Sequence, residues 1–495
     1  HRLIEIPQDA LCKIEIVYED VEYYKLSDHN ILTPIAPVQP SVSKSQNLNE
    51  LDFYINKDIY DNDMFIENDL VSIEHKGMLR SIRIANLILR PVDYNPVSGI
   101  IKIWKEINFK INFDNANYVN TKELKDKYYS PFYESVFNQL GNYKSTNLRD
   151  DLVSYPITYV IITNPIFENS LNEFIEWKIQ KGFNVIVGNT AEIGSSNSAI
   201  KDFIEELYNN PLEGASPPSF VLFVGDVAQI PTYNGSTGSH VTDLYYVEMT
   251  GDMLPDIYHG RFSAQNISHL ESQISKTLEY EKYEMPDPSY LEEVLLIAGV
   301  DGSFAATHGN GQINYGTDYY FNFDHNIYSH TYLYPESDAP GAAASIIQDY
   351  NDGVGFANYT AHCSSSGWAD PSFTNSDVPS LTNYHKYNLM IGNCCNSAEF
   401  DLDSFGEAVL RSESNGAIGY IGGTNSTYWD EDYWWGVGSG NVSANPSYAE
   451  TGVGVYDGIF HENGENQEDW YVVNDAINMA GNLAVMEAGG MEDYY

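Results

Sequence analysis

Residues 357–368 read ANYTAHCSSSGW. The run is apolar and β-prone from Phe356 to Tyr359, then ends on His362 and Cys363, followed by three serines. A second strand-like run, Tyr387–Ile391, closes on Gly392-Asn393-Cys394-Cys395, and Cys395 lies 33 residues after His362. Either the chain holds two accidental cysteine-bearing strand ends, or a nucleophile and its base lie on neighbouring strands.

The segments around this stretch favour an α/β layout. From Ile157 the strand-like runs ITYVIIT, NVIVG, SFVLFVGD, EVLLIAGVD, SHTYLY, GFANYTAH, YNLMIGNCC and GAIGYIGG alternate with amphipathic helical patterns such as SAIKDFIEELYNN. Continuous apolar strands with helical crossovers predict mainly parallel sheets covered on both faces. Residues 1–117 instead alternate apolar and polar, as in LCKIEIVYEDVEYYKL, MLRSIRIANLILRPV and GIIKIWKEINFKINF. They read as all-β. The polar segment Pro37–Glu50 reads as an exposed loop, and Asn147–Asp151 as a linker. The expected units are residues 1–149, 150–290 and 291–495.

Composition narrows the function. The net charge is −45, from 70 acidic against 25 basic residues, which excludes nucleic acid as a natural partner. No run approaches the ~18–20 apolar residues of a membrane span. Four cysteines in 495 residues make no disulfide scaffold. His1 begins in mid-pattern with no leader, and the chain ends at Tyr495 without a stop signal, so a processed and truncated chain is expected.

Sites in open α/β sheets form beyond the carboxyl ends of strands. Three such ends carry reactive groups: Asp301 after LLIAGV, His362 after FANYTA and Cys395 after LMIGNC. A thiol attacks a carbonyl once an imidazole takes its proton, and a carboxylate orients that imidazole. Two plainer readings stand beside this one. A cysteine at a strand end often serves as a small core hydrophobe, and Cys394-Cys395 could ligate a metal, although no matching Cys/His pair occurs elsewhere.

The motifs NYTAHCSSSGWADP, IGNCCNSAEF, FGEAVLRSESNGAIGYIGG and STYWDEDYWWGVG resemble the catalytic domain of the gingipains, with the lysine-specific type most similar. The likeness spans residues ~155–485, and RPVDYNPVSG resembles the gingipain prodomain. The resemblance implies a caspase-like α/β catalytic domain of two α/β/α subdomains behind an all-β prodomain. It implies Cys395 as nucleophile, His362 as base and Asp301 as third member, with Cys394 a buried neighbour. The oxyanion hole would use the backbone N–H groups of Cys395 and Cys363. The family has glycine at position 363, and a second thiol there could pair oxidatively with Cys395.

The same resemblance implies a lysine pocket with Asp432 on a loop at its base, Trp429 as a wall and Thr360 beside the ammonium. Arginine-specific relatives carry an acid after the third triad residue, whereas residues 302–316 here contain none. It further implies calcium at Asp252, the Leu254 carbonyl and Asp256, and at Asp226 with Glu407, and no organic cofactor. The polar loop around Lys44 could enter the acidic pocket as a substrate-like plug in the latent chain, with Lys57 and Lys76 competing for that place, and cleavage at Arg149-Asp150 or near Lys144 would loosen it. The expected protein is a secreted or outer-surface cysteine endopeptidase in zymogen form, cutting after lysine. The rival reading is a catalytically impaired surface adhesin. A sugar-cleaving protein would need a distinct pair of acids, and none stands out.

Overall fold

The computed structural model describes residues 1–145, 155–459 and 470–490. Arg149 and the cleavage expected there lie outside the described residues.

Alternation in the first 117 residues gives two antiparallel three-stranded sheets. In one, Leu11–Lys25 pairs along its length with Ile100–Asp114, whose other edge carries Val92–Asn95. In the other, Ile82–Leu89 lies between Arg2–Ile6 and Val71–Leu79. Here the sequence reading needs correcting. MLRSIRIANLILRPV is no single strand but is folded back at Arg80-Ser81, with Leu79 paired to Ile82. Arg80 takes the left-handed conformation, φ 57°. Apolar residues continue at the strand spacing through the turn, which holds no Gly, Pro or Asn to mark it.

Beyond the N-terminal unit come two wholly parallel sheets. The first has the order Tyr258–Phe262, Pro218–Val224, Thr158–Thr163, Asn184–Asn189. The second has the order Tyr328–Tyr332, Glu293–Ala298, Phe356–Thr360, Asn388–Asn393, Ala417–Gly422. Their central strands are buried on both faces, with Val160, Ile161, Leu295, Leu296, Ala357 and Ile391 in the cores, because helices pack on either side. Register decides what meets at the carboxyl edge. Ala298 pairs with Thr360, and Thr360 with Asn393. His362 and Cys395 each lie two residues beyond a paired position, and Asp301 three beyond Ala298.

Candidate active site

Asp301, His362 and the strand end bearing Cys395 converge as the register dictates. The His362 Nε2–H donates to Asp301 Oδ2 at 3.0 Å. Asp301 Oδ1 accepts the Ser303 and Phe304 N–H groups, each at 2.7 Å. The imidazole hydrogen bond, helped by these amides, holds the Asp301 carboxyl down to about 2. The His362 ring stands edge-on to Trp429, centroids 5.5 Å apart, and Trp429 in turn stacks on Phe304.

The third partner is not where triad logic puts it. The His362 Nδ1–H donates to the carbonyl oxygen of Lys44 and makes no hydrogen bond with Cys395. Both ring nitrogens face acceptors, so neither is free to take a proton from the thiol. Cys395 Sγ instead accepts the Thr427 N–H at 3.3 Å. Burial pushes its pKa up, and the nearby Asp432 carboxylate adds to this. The thiol is therefore held in its neutral, unreactive form.

Lys44 explains the arrangement. It is 2% exposed, and its ammonium donates to Asp432 Oδ2 at 2.6 Å, to Thr360 Oγ1 at 3.0 Å and to the Asn393 carbonyl at 2.8 Å. Three acceptors meet three N–H donors, so the buried charge is fully partnered. Trp429 covers it at 4.8 Å from the ring centroid. The backbone docks through one antiparallel bridge, Ser43 against Tyr428: Lys44 N–H donates to the Thr427 carbonyl at 2.8 Å, and Trp429 N–H to the Val42 carbonyl at 3.0 Å. That is the main-chain pairing by which extended peptides are bound.

Asp432 is not on a loop, as the sequence reading had it. It lies in the first turn of the helix Trp429–Val437, where the N-terminal dipole end favours a carboxylate. Two residues of the pocket escaped the sequence reading. Thr427 touches Cys395, Lys44 and, through its hydroxyl at 2.7 Å, Asp432 Oδ2. Asn393 supplies the carbonyl for the ammonium and donates its side-chain amide to the Asp432 carbonyl at 2.9 Å. Only the position of Asn393, two before Cys395, could have signalled it.

The cysteines also pair differently from expectation. Cys363 is bonded to Cys394, Cα atoms 5.4 Å apart, while Cys395 and Cys12 are free. Successive residues at a strand end point to opposite sides, so Cys394 faces Cys363 and Cys395 faces the pocket. Denatured protein without reductant should titrate two thiols, rising to four after reduction. Any count other than two in the unreduced sample contradicts this pairing.

The expected calcium donors are otherwise engaged. Asp256 accepts the Arg80 and Met249 N–H groups on its two oxygens, and Asp252 those of Met78 and Leu254. Asp226 and Glu407 both pair with the Arg411 guanidinium, at 3.1 and 2.6 Å. Arginine thus supplies positive charge beside Asp226 and Glu407, and one backbone amide meets each carboxylate oxygen of Asp252 and Asp256. Among the described residues no cluster of three His, Cys, Asp or Glu could hold a metal.

Comparison with known proteins fits this geometry. Residues 153–490 match the model of peptidase family C25, and residues 1–145 that of its propeptide. The chain belongs to the cysteine peptidase family C25 and carries the family's propeptide segment. It is 38% identical to Lys-gingipain of Porphyromonas gingivalis over 495 residues, 99% of this chain and 28% of that protein. Gingipain R2 of the same organism is 26% identical over 427 residues, 84% of this chain and 55% of that one. The chain thus spans 28% of the length of Lys-gingipain. A solved structure described as "Structure of Protease" superposes with a TM-score of 0.63 at 42% identity, covering 68% of this chain and 73% of that one. The Arg-specific cysteine proteinase gingipain R has the same fold, with TM-score 0.55 at 23% identity, covering 70% and 77%. The caspase-like α/β fold behind an antiparallel β unit is thereby established. No helix among the described residues is long and apolar enough to cross a membrane.

Proposed function

We propose that this chain is the latent form of a cysteine endopeptidase that cuts after lysine, with Cys395, His362 and Asp301 as its catalytic residues. One observation carries the reading: a lysine already sits in the candidate pocket, its ammonium on Asp432, Thr360 and Asn393 and its backbone held by an antiparallel bridge. Similarity to Lys-gingipain supports it.

In the reaction, the imidazole of His362 takes the Cys395 proton and Sγ bonds to the carbonyl carbon of the substrate lysine. The electron pair moves to the carbonyl oxygen, towards the N–H groups of Cys395 and Cys363. The tetrahedral intermediate collapses to a thioester as the amine leaves with the proton from His362. Water, deprotonated by His362, then releases the acid and the thiol. In the latent chain the carbonyl in question belongs to Lys44, and its oxygen rests on His362 rather than on those amides. A neutral thiol and an occupied imidazole keep the plug uncut.

Asp301 sets a pH signature. A carboxyl held down to about 2 gives its stabilisation above its ordinary value of about 4 and loses it only as pH falls towards 2. Asp301 therefore stays ionised throughout any working range. Asp301→Asn should lower kcat across the whole pH profile, by roughly 10²-fold or more, with KM little changed. A loss confined to the acid limb would remove Asp301 from this role.

A secreted or outer-surface location suits the Cys363–Cys394 bond, since disulfides persist in oxidising compartments. The latency reading is tested in the full chain with a lysyl chloromethyl ketone, which alkylates a reactive Cys395. Lys44→Ala should speed labelling roughly tenfold or more, because one half of a buried ion pair is gone. Unchanged labelling would reject Lys44 as the plug.

A further inference from the structure

The hairpin turn missed by strand alternation places an arginine deep in the catalytic unit. Arg80 projects from the tip joining Val71–Leu79 to Ile82–Leu89 and is 1% exposed. Its five N–H donors meet five acceptors, four of them in the catalytic unit and the fifth, the Tyr128 carbonyl, in the N-terminal segment itself. Nε donates to the Tyr128 carbonyl, and one terminal nitrogen to the Pro218 and Asp256 carbonyls at 2.8 and 3.2 Å. The other donates to the Pro217 carbonyl at 3.5 Å and Ser219 Oγ at 3.3 Å. Tyr133 and Tyr208 flank the guanidinium at 4.9 and 5.8 Å.

The backbone of the tip is read as well. Arg80 N–H donates to Asp256 Oδ1 at 2.5 Å, Met78 N–H to Asp252 Oδ2 at 2.6 Å, and Tyr208 Oη–H to the Arg80 carbonyl at 3.2 Å. Gly77, at φ 148°, lets the strand press against Asp252, whose carboxyl would lie 2.8 Å from any Cβ there. The socket is at the amino end of Pro218–Val224 in the first parallel sheet. The pocket holding Lys44 is at the carboxyl edge of the second. These are two separate attachments, beside the hydrogen bonds from Leu3 N–H to Glu487 and from the Asn86 side-chain amide to the Met486 carbonyl and an apolar core that Leu79 and Ile82 share with Leu254 and Tyr258.

We propose that this socket is a guanidinium-binding site that anchors the N-terminal β unit on the catalytic unit, independently of the Lys44 plug. The proposal rests on reading residues 1–145 as the blocking segment. Two anchors on one rigid body make the second contact intramolecular. Cutting the loop at Lys44 therefore opens the pocket without releasing the β unit, and release waits on extraction of Arg80. Lysine cannot fully substitute, since it brings three donors where the catalytic unit alone presents four acceptors in a planar array.

The test uses the full chain in a Cys395→Ala background, with a recognition site for an unrelated protease introduced within residues 146–152. After nicking, the two fragments should co-elute on gel filtration. They should stay together with Lys44→Ala and separate with Arg80→Ala, whose affinity should fall roughly hundredfold or more. Arg80→Lys should give an intermediate loss. If the Arg80 variants fail to fold, Tyr208→Phe, which removes a hydroxyl on the socket side, should still weaken co-elution several-fold. Retention of the fragments by Arg80→Ala, or release by Lys44→Ala alone, overturns the anchor. If Lys44→Ala leaves active-site labelling unchanged in the catalytically intact chain while Arg80→Ala still releases the fragment, the plug falls and the anchor stands.

Discussion

Replacing Cys395 by alanine is expected to abolish peptide hydrolysis, with a loss of roughly 10⁴-fold or more, as when a covalent nucleophile is deleted. The adjacent thiol cannot take over. Cys394 is tied to Cys363 on the far side of the strand end, whereas Cys395 Sγ lies on the Thr427 N–H beside the lysine pocket. A Cys363→Ala/Cys394→Ala double variant removes the disulfide without leaving an orphan thiol, and it should keep most of the turnover. The comparison needs processed enzyme and a lysyl peptide, with circular dichroism confirming the fold of each variant. Equal loss in both, with folding intact, would take the nucleophile's role from Cys395.

The parts of the site legible in the sequence are those set by strand ends. Thr360 and Asn393 pair in parallel register, so the 33-residue spacing of His362 and Cys395 brings their strand ends level. Asp301 is legible for the same reason. What could not be read depends on contacts that carry no local pattern. Thr427 works partly through its backbone N–H and carbonyl, which any residue but proline would supply. The disulfide partner of Cys363 depends on which way Cys394 faces, and composition alone argued against a bond. Arg80 was hidden because apolar residues on both sides keep the strand period across the turn. Asp432 was misplaced on a loop because aromatic residues dominate WDEDYWW and mask its helical period, although the structure shows a helix there. The partners of the acids named for calcium, Arg411 and backbone amides, likewise carry no signal in the spacing of those acids.

Asp432→Ala is expected to cost lysyl substrates most of their advantage. The carboxylate is buried, and burial outweighs the pull of the Lys44 ammonium, raising its pKa from the ordinary aspartate value. Such a group is costly to keep ionised, and it is held so by the ammonium at 2.6 Å and the Thr427 hydroxyl at 2.7 Å. A substrate lysine replacing Lys44 would meet the same partners. Removing one member of a desolvated charge pair typically costs about 2–5 kcal/mol. At ~1.4 kcal/mol per tenfold, kcat/KM on lysyl peptides should fall by roughly 30-fold to several thousand-fold. Thr360 and the Asn393 carbonyl remain, but neither carries a countercharge. Alkylation of the processed enzyme by a small uncharged reagent should barely change, because His362 and Asp301 are untouched. A raised pKa also means that the wild-type pocket gains a proton, and loses its charge, at less acidic pH than an exposed aspartate would. Preference for lysine should therefore fade on acidification sooner than an exposed aspartate would allow, and it should be nearly flat with pH in Asp432→Ala. Parallel assays on lysyl and arginyl peptides decide the matter, since a silent Asp432→Ala or a preference for arginine would assign the specificity to another acid.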